Sequence, residues 1–188
     1  GNIIYSSKTS NSHIFEGRTR VYIINTDNDV ESINTYTGVK QWSYRDVDHI
    51  PNQIKELTET QLVVTGNGNE TTLVSLIDVA SGNTVWKKTL KKDQVNSIFS
   101  DNGNIYIIGL NTQCAINYKG EVNWCTETNQ NVFSAYLTKE GLYTISSDKD
   151  TYDISYLNLA NGSRKWLYQS NNINIYSLRE YKGDLYFI

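Results

Sequence analysis

The 188-residue chain carries a net charge of −3, with 38% hydrophobic and 12% aromatic residues, one proline and no methionine. This composition is typical of a folded, β-rich core and argues against a disordered or linker-rich chain. Charged residues are scattered singly without a basic stripe, which excludes the usual surface for nucleic acid or an anionic membrane, and no apolar run reaches the roughly 18 residues of a membrane span.

The chain opens with a lead segment, residues 1–20, that lacks the basic and then apolar pattern of a signal peptide. Within it, Ile3–Tyr5 is interpreted either as a strand that completes the last repeat or as a loosely packed extension, and His13–Phe15 as the innermost strand of the first repeat. Because the sequence starts without methionine and stops inside a predicted strand, Asp184–Ile188, we expect the natural protein to continue.

From Val21 the chain follows a regular cycle of an apolar strand, a polar hairpin, an alternating strand, a glycine turn and a short strand that carries tryptophan. The hairpin signal is strongest at Asn102-Gly103, where both residues tolerate positive φ. The cycle predicts repeats at about residues 21–44, 53–88, 95–126 and 132–168, and a partial fifth at 175–188.

One motif, Gly-x-x-x-Trp, marks every full repeat and contains all four tryptophans. Its occurrences are Gly38/Trp42, Gly82/Trp86, Gly120/Trp124 and Gly162/Trp166. Successive tryptophans lie 44, 38 and 42 residues apart, and a strand-built period of this length indicates β-propeller blades. The sequence therefore predicts an all-β fold in one domain, residues 1–188: a β-propeller of four-stranded antiparallel blades, with four blades plus a partial fifth, as an incomplete arc of a larger propeller.

The glycine and the tryptophan of the motif have separate structural roles. The glycine closes a hairpin whose backbone requires positive φ, where a Cβ would clash. The tryptophan lies on the returning strand and can bury about 150 to 250 Å² at the junction with the adjacent blade. We therefore expect all eight motif residues to dock one blade against the next rather than to bind a ligand.

The motif resembles the pyrroloquinoline-quinone (PQQ) repeat of quinoprotein-like propellers, whose blades typically read Asp-x-x-Thr-Gly-x-x-x-Trp. The counterparts here are Asn34–Gly38, Asp78–Gly82 and Asn158–Gly162, with a shortened form at Asn117–Gly120. WD-type blades are disfavoured because no tryptophan precedes an aspartate, and kelch blades because the chain has no Gly-Gly pair.

The resemblance raises the question of an enzyme, because quinone-dependent dehydrogenases of this family bind their cofactor against a ring of adjacent cysteines. The only cysteines here, Cys114 and Cys125, are not adjacent, so no quinone or other cofactor is expected. His13 and His49 lack metal-ligand spacing, and the acidic turns near Asp27 and Asp148 lack the full calcium-loop pattern. We predict no catalytic residue and no metal site.

The state of the two cysteines stays open. They lie on opposite arms of the Lys119-Gly120 hairpin, and a two-residue turn would place them at a hydrogen-bonded pair, a poor geometry for a disulfide. This count favours free buried thiols, with a disulfide as the alternative. Asn69 and Asn161 begin glycosylation sequons in predicted turns, which permits a secretory location.

The opening of the chain also resembles the luminal propeller of the largest subunit of the endoplasmic reticulum membrane protein complex. The stretch that carries this is Arg18–Asn25, then Val30–Thr35, Gly38 and Gln41-Trp42, and the second blade through Lys88. The resemblance implies a non-enzymatic scaffold in the reticulum lumen, or another extracytoplasmic compartment, that binds protein subunits of a larger assembly for membrane protein insertion. The alternatives are a bacterial envelope propeller of outer-membrane protein assembly and a fragment of a PQQ-dependent dehydrogenase.

Loops at one end of a propeller are the natural place for a partner, and examples are Asp46–Asn52 and Asn171–Asn174. An open arc of blades leaves apolar faces and unpaired strand edges at both ends. We therefore expect the 188-residue chain alone to self-associate or to be poorly soluble.

Overall fold

A computed structural model describes residues 13–149, 151–171, 175, 178–181 and 184–187. The predictions for Ile3–Tyr5 and for positions 172–174 lie outside these residues. The regular elements of the described residues are β1 His13–Glu16, β2 Arg20–Ile24, β3 Val30–Asn34, β4 Lys40–Tyr44, β5 Ile50–Glu56, β6 Gln61–Asn67, β7 Thr71–Asp78, β8 Thr84–Lys91, β9 Val95–Asp101, β10 Asn104–Gly109, β11 Thr112–Asn117, β12 Val122–Glu127, β13 Asn131–Leu137, β14 Leu142–Asp148, β15 Thr151–Leu157, β16 Arg164–Ser170, β17 Leu178–Tyr181 and β18 Asp184–Phe187. Across these ranges no helix is long and apolar enough to cross a membrane.

Sixteen of the strands form four antiparallel four-stranded sheets in chain order, β1–β4, β5–β8, β9–β12 and β13–β16, and β17 pairs with β18. Propeller blades are sheets of four sequential antiparallel strands. The prediction of an all-β, PQQ-type propeller with four-stranded blades is confirmed. The first sheet starts at His13, because the segment His13–Phe15 that the sequence assigned to the first repeat forms β1 and pairs with β2.

The chain divides into two compact units, Gly1–Lys92 and Asp93–Ile188. The single domain of residues 1–188 stays a prediction. In the first unit, one apolar cluster joins both sheets and includes Tyr22, Trp42 and Leu62. In the second unit, one cluster joins the third and fourth sheets, and another lies between the fourth sheet and Ile175 and Leu178.

Strand burial follows the position of each strand within its sheet. Leu62–Val64 in β6 are buried on both faces, as their continuous apolar sequence predicts for a strand covered on two sides. The outer strand β8 alternates between exposed and half-buried residues. At the predicted hairpin, Asn102 and Gly103 have φ of 47° and 77°, the positive values that their side chains tolerate.

Candidate functional site

Three connections at one end of the first unit enclose a groove of about 940 Å³. They are the β2–β3 hairpin, the β4–β5 connection and the β6–β7 hairpin, and Asp46 and His49 of the β4–β5 connection form part of the wall. The β4–β5 connection contains the start of the loop Asp46–Asn52, which the sequence suggested as a contact for a partner. Asn171, at the start of the other suggested loop, lies in the second unit.

Asp46 is the electrostatic centre of the connection. Its Oδ1 accepts hydrogen bonds from His49 Nδ1 at 2.8 Å and from the Asp48 backbone N–H at 3.2 Å, and its Oδ2 accepts one from Lys87 Nζ at 2.6 Å. Partial burial raises the pKa of the Asp46 carboxyl, but the hydrogen bonds from Lys87 and His49 outweigh this, so the pKa lies below its usual value. The same contact raises the pKa of Lys87. Asp46 is therefore ionised at neutral pH.

His49 joins the connection to the neighbouring hairpin. Because the Asp46 carboxylate can only accept hydrogen bonds, His49 Nδ1 carries a proton. The other ring nitrogen, Nε2, lies 3.0 Å from Thr71 Oγ1. The ring also packs so closely on the hairpin that a Cβ at Gly68 would lie 2.8 Å from His49 Cδ2. A side chain at position 68 would therefore push the ring away from the hairpin.

The order Thr71, His49, Asp46 is that of a hydroxyl nucleophile, a base and a carboxylate that orients the base. Acyl transfer also needs hydrogen-bond donors directed at an oxyanion. The Gly68 N–H on this hairpin already donates to the Thr71 carbonyl at 2.9 Å and does not supply one. The contacts make the three side chains a clamp that holds the β4–β5 connection on the β6–β7 hairpin.

The rest of the groove carries side chains of both charges. Arg45 forms an ion pair with Asp29, with Nε 3.5 Å from Oδ1, and Lys92 Nζ donates to the Asn69 carbonyl at 2.5 Å. Asn67 Oδ1 is buried without a hydrogen-bond partner. Val47 is 87% exposed at the rim. Within the described ranges, no group of three or more His, Cys, Asp or Glu residues could hold a metal ion.

The predicted sequon residues both lie on exposed turns. Asn69 lines the groove, whereas Asn161 is in the β15–β16 turn of the second unit, where its Oδ1 accepts a hydrogen bond from the Ser163 N–H at 2.9 Å. Their glycosylation stays a prediction.

The motif tryptophans of the first and third sheets each cross to the next sheet within their unit. Trp42 Nε1 donates to the Val79 carbonyl at 2.8 Å, and Trp124 Nε1 donates to the Leu159 carbonyl at 2.9 Å. Both indoles are 8% exposed. Each contacts the turn that precedes the next blade's own tryptophan.

That turn has its glycine in direct contact with the indole. Gly82 has φ of +74°, and a Cβ there would lie 2.7 Å from Trp42 Cγ. Gly162, with φ of +70°, meets Trp124 in the same way. The other two motif glycines, Gly38 and Gly120, also have positive φ. The other two motif tryptophans are less buried, because Trp86 is half-buried and Trp166 is 52% exposed. A docking role for all eight residues stays a prediction.

The turn before each glycine is held by an asparagine or aspartate side chain, which explains the first position of the motif. Asn34 Oδ1 accepts hydrogen bonds from the backbone N–H groups of Tyr36 and Thr37. Asp78 Oδ1 accepts one from the Ser81 backbone N–H. The hydrogen bonds from Ser81 lower the pKa of Asp78. Asn158 Oδ1 likewise accepts the Ala160 N–H at 2.9 Å.

Cys114 and Cys125 form a disulfide, so the preference for free thiols was wrong. They are directly paired across β11 and β12, as the count expected. However, the register shifts between Ala115 and Ile116, and β12 skips Asn123 in the pairing. A bulge of this kind changes which pairs exchange hydrogen bonds. The Cα–Cα distance of 4.1 Å is that of a non-hydrogen-bonded pair, which brings the two sulfurs within bonding reach.

The sequential four-stranded sheets and the repeated Asx-Gly-Trp turn define a PQQ-repeat β-propeller. The chain belongs to the family described as outer membrane protein assembly factor BamB, whose model matches residues 70–180, more than half of the chain. No curated protein matches it.

Many solved structures match the fold, and three of them are compared with the chain below. BamB from Moraxella catarrhalis aligns with a TM-score of 0.59 at 13% identity, over 84% of this chain and 50% of that one. A protein of unknown function from Bacteroides caccae gives 0.60 at 13% identity, over 90% and 66%. The computationally designed Ika4 protein gives 0.63 at 11% identity, over 89% and 98%. These identities show the fold alone, and the chain spans half the length of the Moraxella BamB chain.

The sequence did not indicate that His49 and Lys87 would meet Asp46. The sequence raises His49 only as a metal ligand together with His13, which lies exposed in β1. Lys87 is 41 residues from Asp46, one blade further along the chain. The one available signal was the spacing of Asp46 and His49 in a single connection, which is compatible with a hydrogen bond between them.

Proposed function

We propose that the chain is a non-enzymatic protein-interaction propeller of a membrane-associated assembly in the bacterial cell envelope. The observation that carries the proposal is the match of residues 70–180 to the family of outer membrane protein assembly factor BamB. Propeller blades provide a rigid support, and function on such a fold comes from its loops.

The groove beside Asp46 is the proposed contact surface for a partner protein. Its wall is preorganised, because the clamp from Asp46 through His49 to Thr71 holds the β4–β5 connection against the neighbouring hairpin. Val47 and Asp48 of the same connection are exposed and able to contact a partner. Preorganised loops lose less conformational entropy on binding than mobile ones.

An extracytoplasmic location fits the disulfide between Cys114 and Cys125, because disulfides persist in the periplasm and other oxidising compartments. The endoplasmic reticulum alternative shares this property and remains a prediction from the opening of the chain. The family match favours the bacterial envelope. We propose no quinone or other cofactor, since the cysteine pair lies on neighbouring strands rather than in an adjacent-cysteine ring.

Site-specific photocrosslinking in the cells that make the protein tests the proposal. A photoreactive amino acid replaces Val47 at the groove, and the control replaces Tyr36, which is 77% exposed on the β3–β4 turn at the other end of the same sheet. We expect position 47 to crosslink to an envelope or membrane protein, identified by mass spectrometry, and position 36 to do so much less. Equal crosslinking at both positions would contradict a contact at the groove. Recovery of the protein without any companion would contradict the assembly role.

A further inference from the structure

The two units contain equivalent sheet-on-sheet contacts, which we call the first seam, between the β1–β4 and β5–β8 sheets, and the second seam, between the β9–β12 and β13–β16 sheets. Their hairpins align pair for pair: Leu62/Ile77, Val64/Ser75 and Gly66/Leu73 in β6–β7 correspond to Leu142/Leu157, Thr144/Ser155 and Ser146/Asp153 in β14–β15. The second seam therefore has polar residues where the first has apolar ones or glycine. Thr144 replaces Val64, Ser146 replaces Gly66, and Asp153 replaces Leu73.

A tyrosine of the first seam is also missing from the second. Tyr44, two residues after Trp42, extends its hydroxyl to within 2.8 Å of Ser75 Oγ. The corresponding residue, two positions after Trp124, is Thr126, whose side chain is too short for this contact. The second seam thus replaces a large ring with a small polar side chain.

Two hydroxyl groups of the second seam, those of Thr144 and Ser155, are buried without protein partners. Thr144 and Ser155 are each 0% exposed, and neither Thr144 Oγ1 nor Ser155 Oγ has a hydrogen-bond partner. A buried hydroxyl that loses its hydrogen bonds to water without gaining others destabilises the fold, so buried polar atoms are normally bound to a protein group or to ordered water.

Arg164 brings an incompletely paired cation to the same seam. Its Nη2 donates to Gln113 Oε1 at 2.5 Å, but Nε and Nη1 are buried without a partner. Burial lowers the pKa of Arg164, and the charge of nearby Asp153 opposes that change. The guanidinium stays charged, because arginine does not lose its proton in proteins.

Asp153 supplies the balancing carboxylate. It is 1% exposed, and its Oδ2 accepts a hydrogen bond from Gln130 Nε2. Gln130 is held in turn by Ser146, whose Oγ donates to its Oε1 at 3.0 Å. Arg164 and Asp153 form no direct ion pair within the described contacts, and the charge of Asp153 opposes the effect of burial on the pKa of Arg164.

We propose that the second seam is a built internal water site, in which ordered water molecules bridge the Arg164 guanidinium to the Asp153 carboxylate and bind the hydroxyls of Thr144 and Ser155. Water fits this set better than an ion, because one guanidinium and one carboxylate already balance in charge. Water also serves donors and acceptors together, and a buried molecule typically makes about three hydrogen bonds.

A high-resolution crystal structure of the protein tests the site directly. We expect water density within hydrogen-bond distance of Arg164 Nε or Nη1 and of Ser155 Oγ, and ordered by the Asp153 carboxylate. An Arg164 side chain turned out to solvent would overturn the proposal. Density for a bound ion in place of water would overturn it equally.

A double-mutant cycle tests the bridge in solution. Asp153→Asn and Arg164→Met each leave the other group without its charged counterpart, so each is expected to lower the folding equilibrium constant by at least about 10-fold. The double variant should lose less than the product of the two. The exposed pair of Arg18 and Glu59, with Nη1 3.8 Å from Oε1, serves as the control cycle, with a coupling below about 5-fold. Fully independent effects of the Asp153 and Arg164 substitutions would refute the water bridge.

Discussion

At the scale of single residues, the Asp46 carboxylate concentrates three hydrogen bonds on one side chain of the groove wall. We predict that Asp46→Asn lowers the free energy of unfolding by about 1.5 to 3 kcal/mol at neutral pH, because hydrogen bonds to a charged acceptor are lost. Since folding lowers the pKa of Asp46, this stabilisation is present above the ordinary value of 3.8 and is lost as the pH falls through the lowered value. Urea denaturation at neutral and acidic pH measures it.

Asp48→Asn is the matched control, because Asp48 is exposed on the same connection and contributes only its backbone N–H to the network. It should change stability by less than about 0.5 kcal/mol. A loss for Asp46→Asn that persisted undiminished at acidic pH would contradict the electrostatic origin. The sequence could not predict this network, because periodicity describes local strands, whereas the Lys87 contact forms only when two blades pack.

At the scale of the element, the turn glycines Gly82 and Gly162 are packed by the indole of the preceding blade. We predict that Gly82→Ala destabilises the fold by about 1 to 3 kcal/mol more than Gly103→Ala, because a Cβ at 82 also meets Trp42. Both glycines have similar positive φ, +74° and +77°, so both variants carry the same backbone cost, but nothing lies within 4 Å of a Cβ at 103. Thermal denaturation of the two variants separates the cost of the contact with Trp42 from the backbone cost of positive φ. Equal losses would show that the indole contact contributes nothing.

The β11–β12 hairpin has its own prediction. The bridge between Cys114 and Cys125 closes a loop with a sequence separation of 11, so its removal in the double alanine variant should cost about 2 to 3 kcal/mol. Reductant should destabilise the wild-type chain by a similar amount and leave the double variant unchanged. Labelling of two free thiols in the oxidised protein would disprove the disulfide.

The strands of this hairpin were predictable from their apolar runs, and so was the pairing of the two cysteines. Their bond was not, because the count assumed a regular ladder. One residue, Asn123, is left out of the pairing, and this changes the hydrogen-bonding phase at Cys114 and Cys125. A bulge at a position without glycine or proline has no strong sequence signal. The sequence therefore predicted the wrong hydrogen-bonding phase for the cysteine pair.

At the scale of the whole molecule, self-association of the 188-residue chain remains a prediction, and β16 offers a reason for it. On this outer strand Trp166, Leu167 and Tyr168 are 52%, 47% and 38% exposed. An exposed apolar edge strand promotes pairing with another chain. We expect concentration-dependent sedimentation, reduced by Leu167→Lys. A sharp monomer boundary at all concentrations would count against it.

Each paired tryptophan also has a consequence for synthesis on the ribosome. The carbonyl that receives Trp42 lies 37 residues later in the chain, and the one that receives Trp124 lies 35 residues later. A blade therefore emerges from the exit tunnel with its indole still unplaced, and it gains that contact only after most of the following blade has been translated. Growth of the chain would thus stabilise the first blade only once most of the second has been made, and the third blade only once most of the fourth has been made.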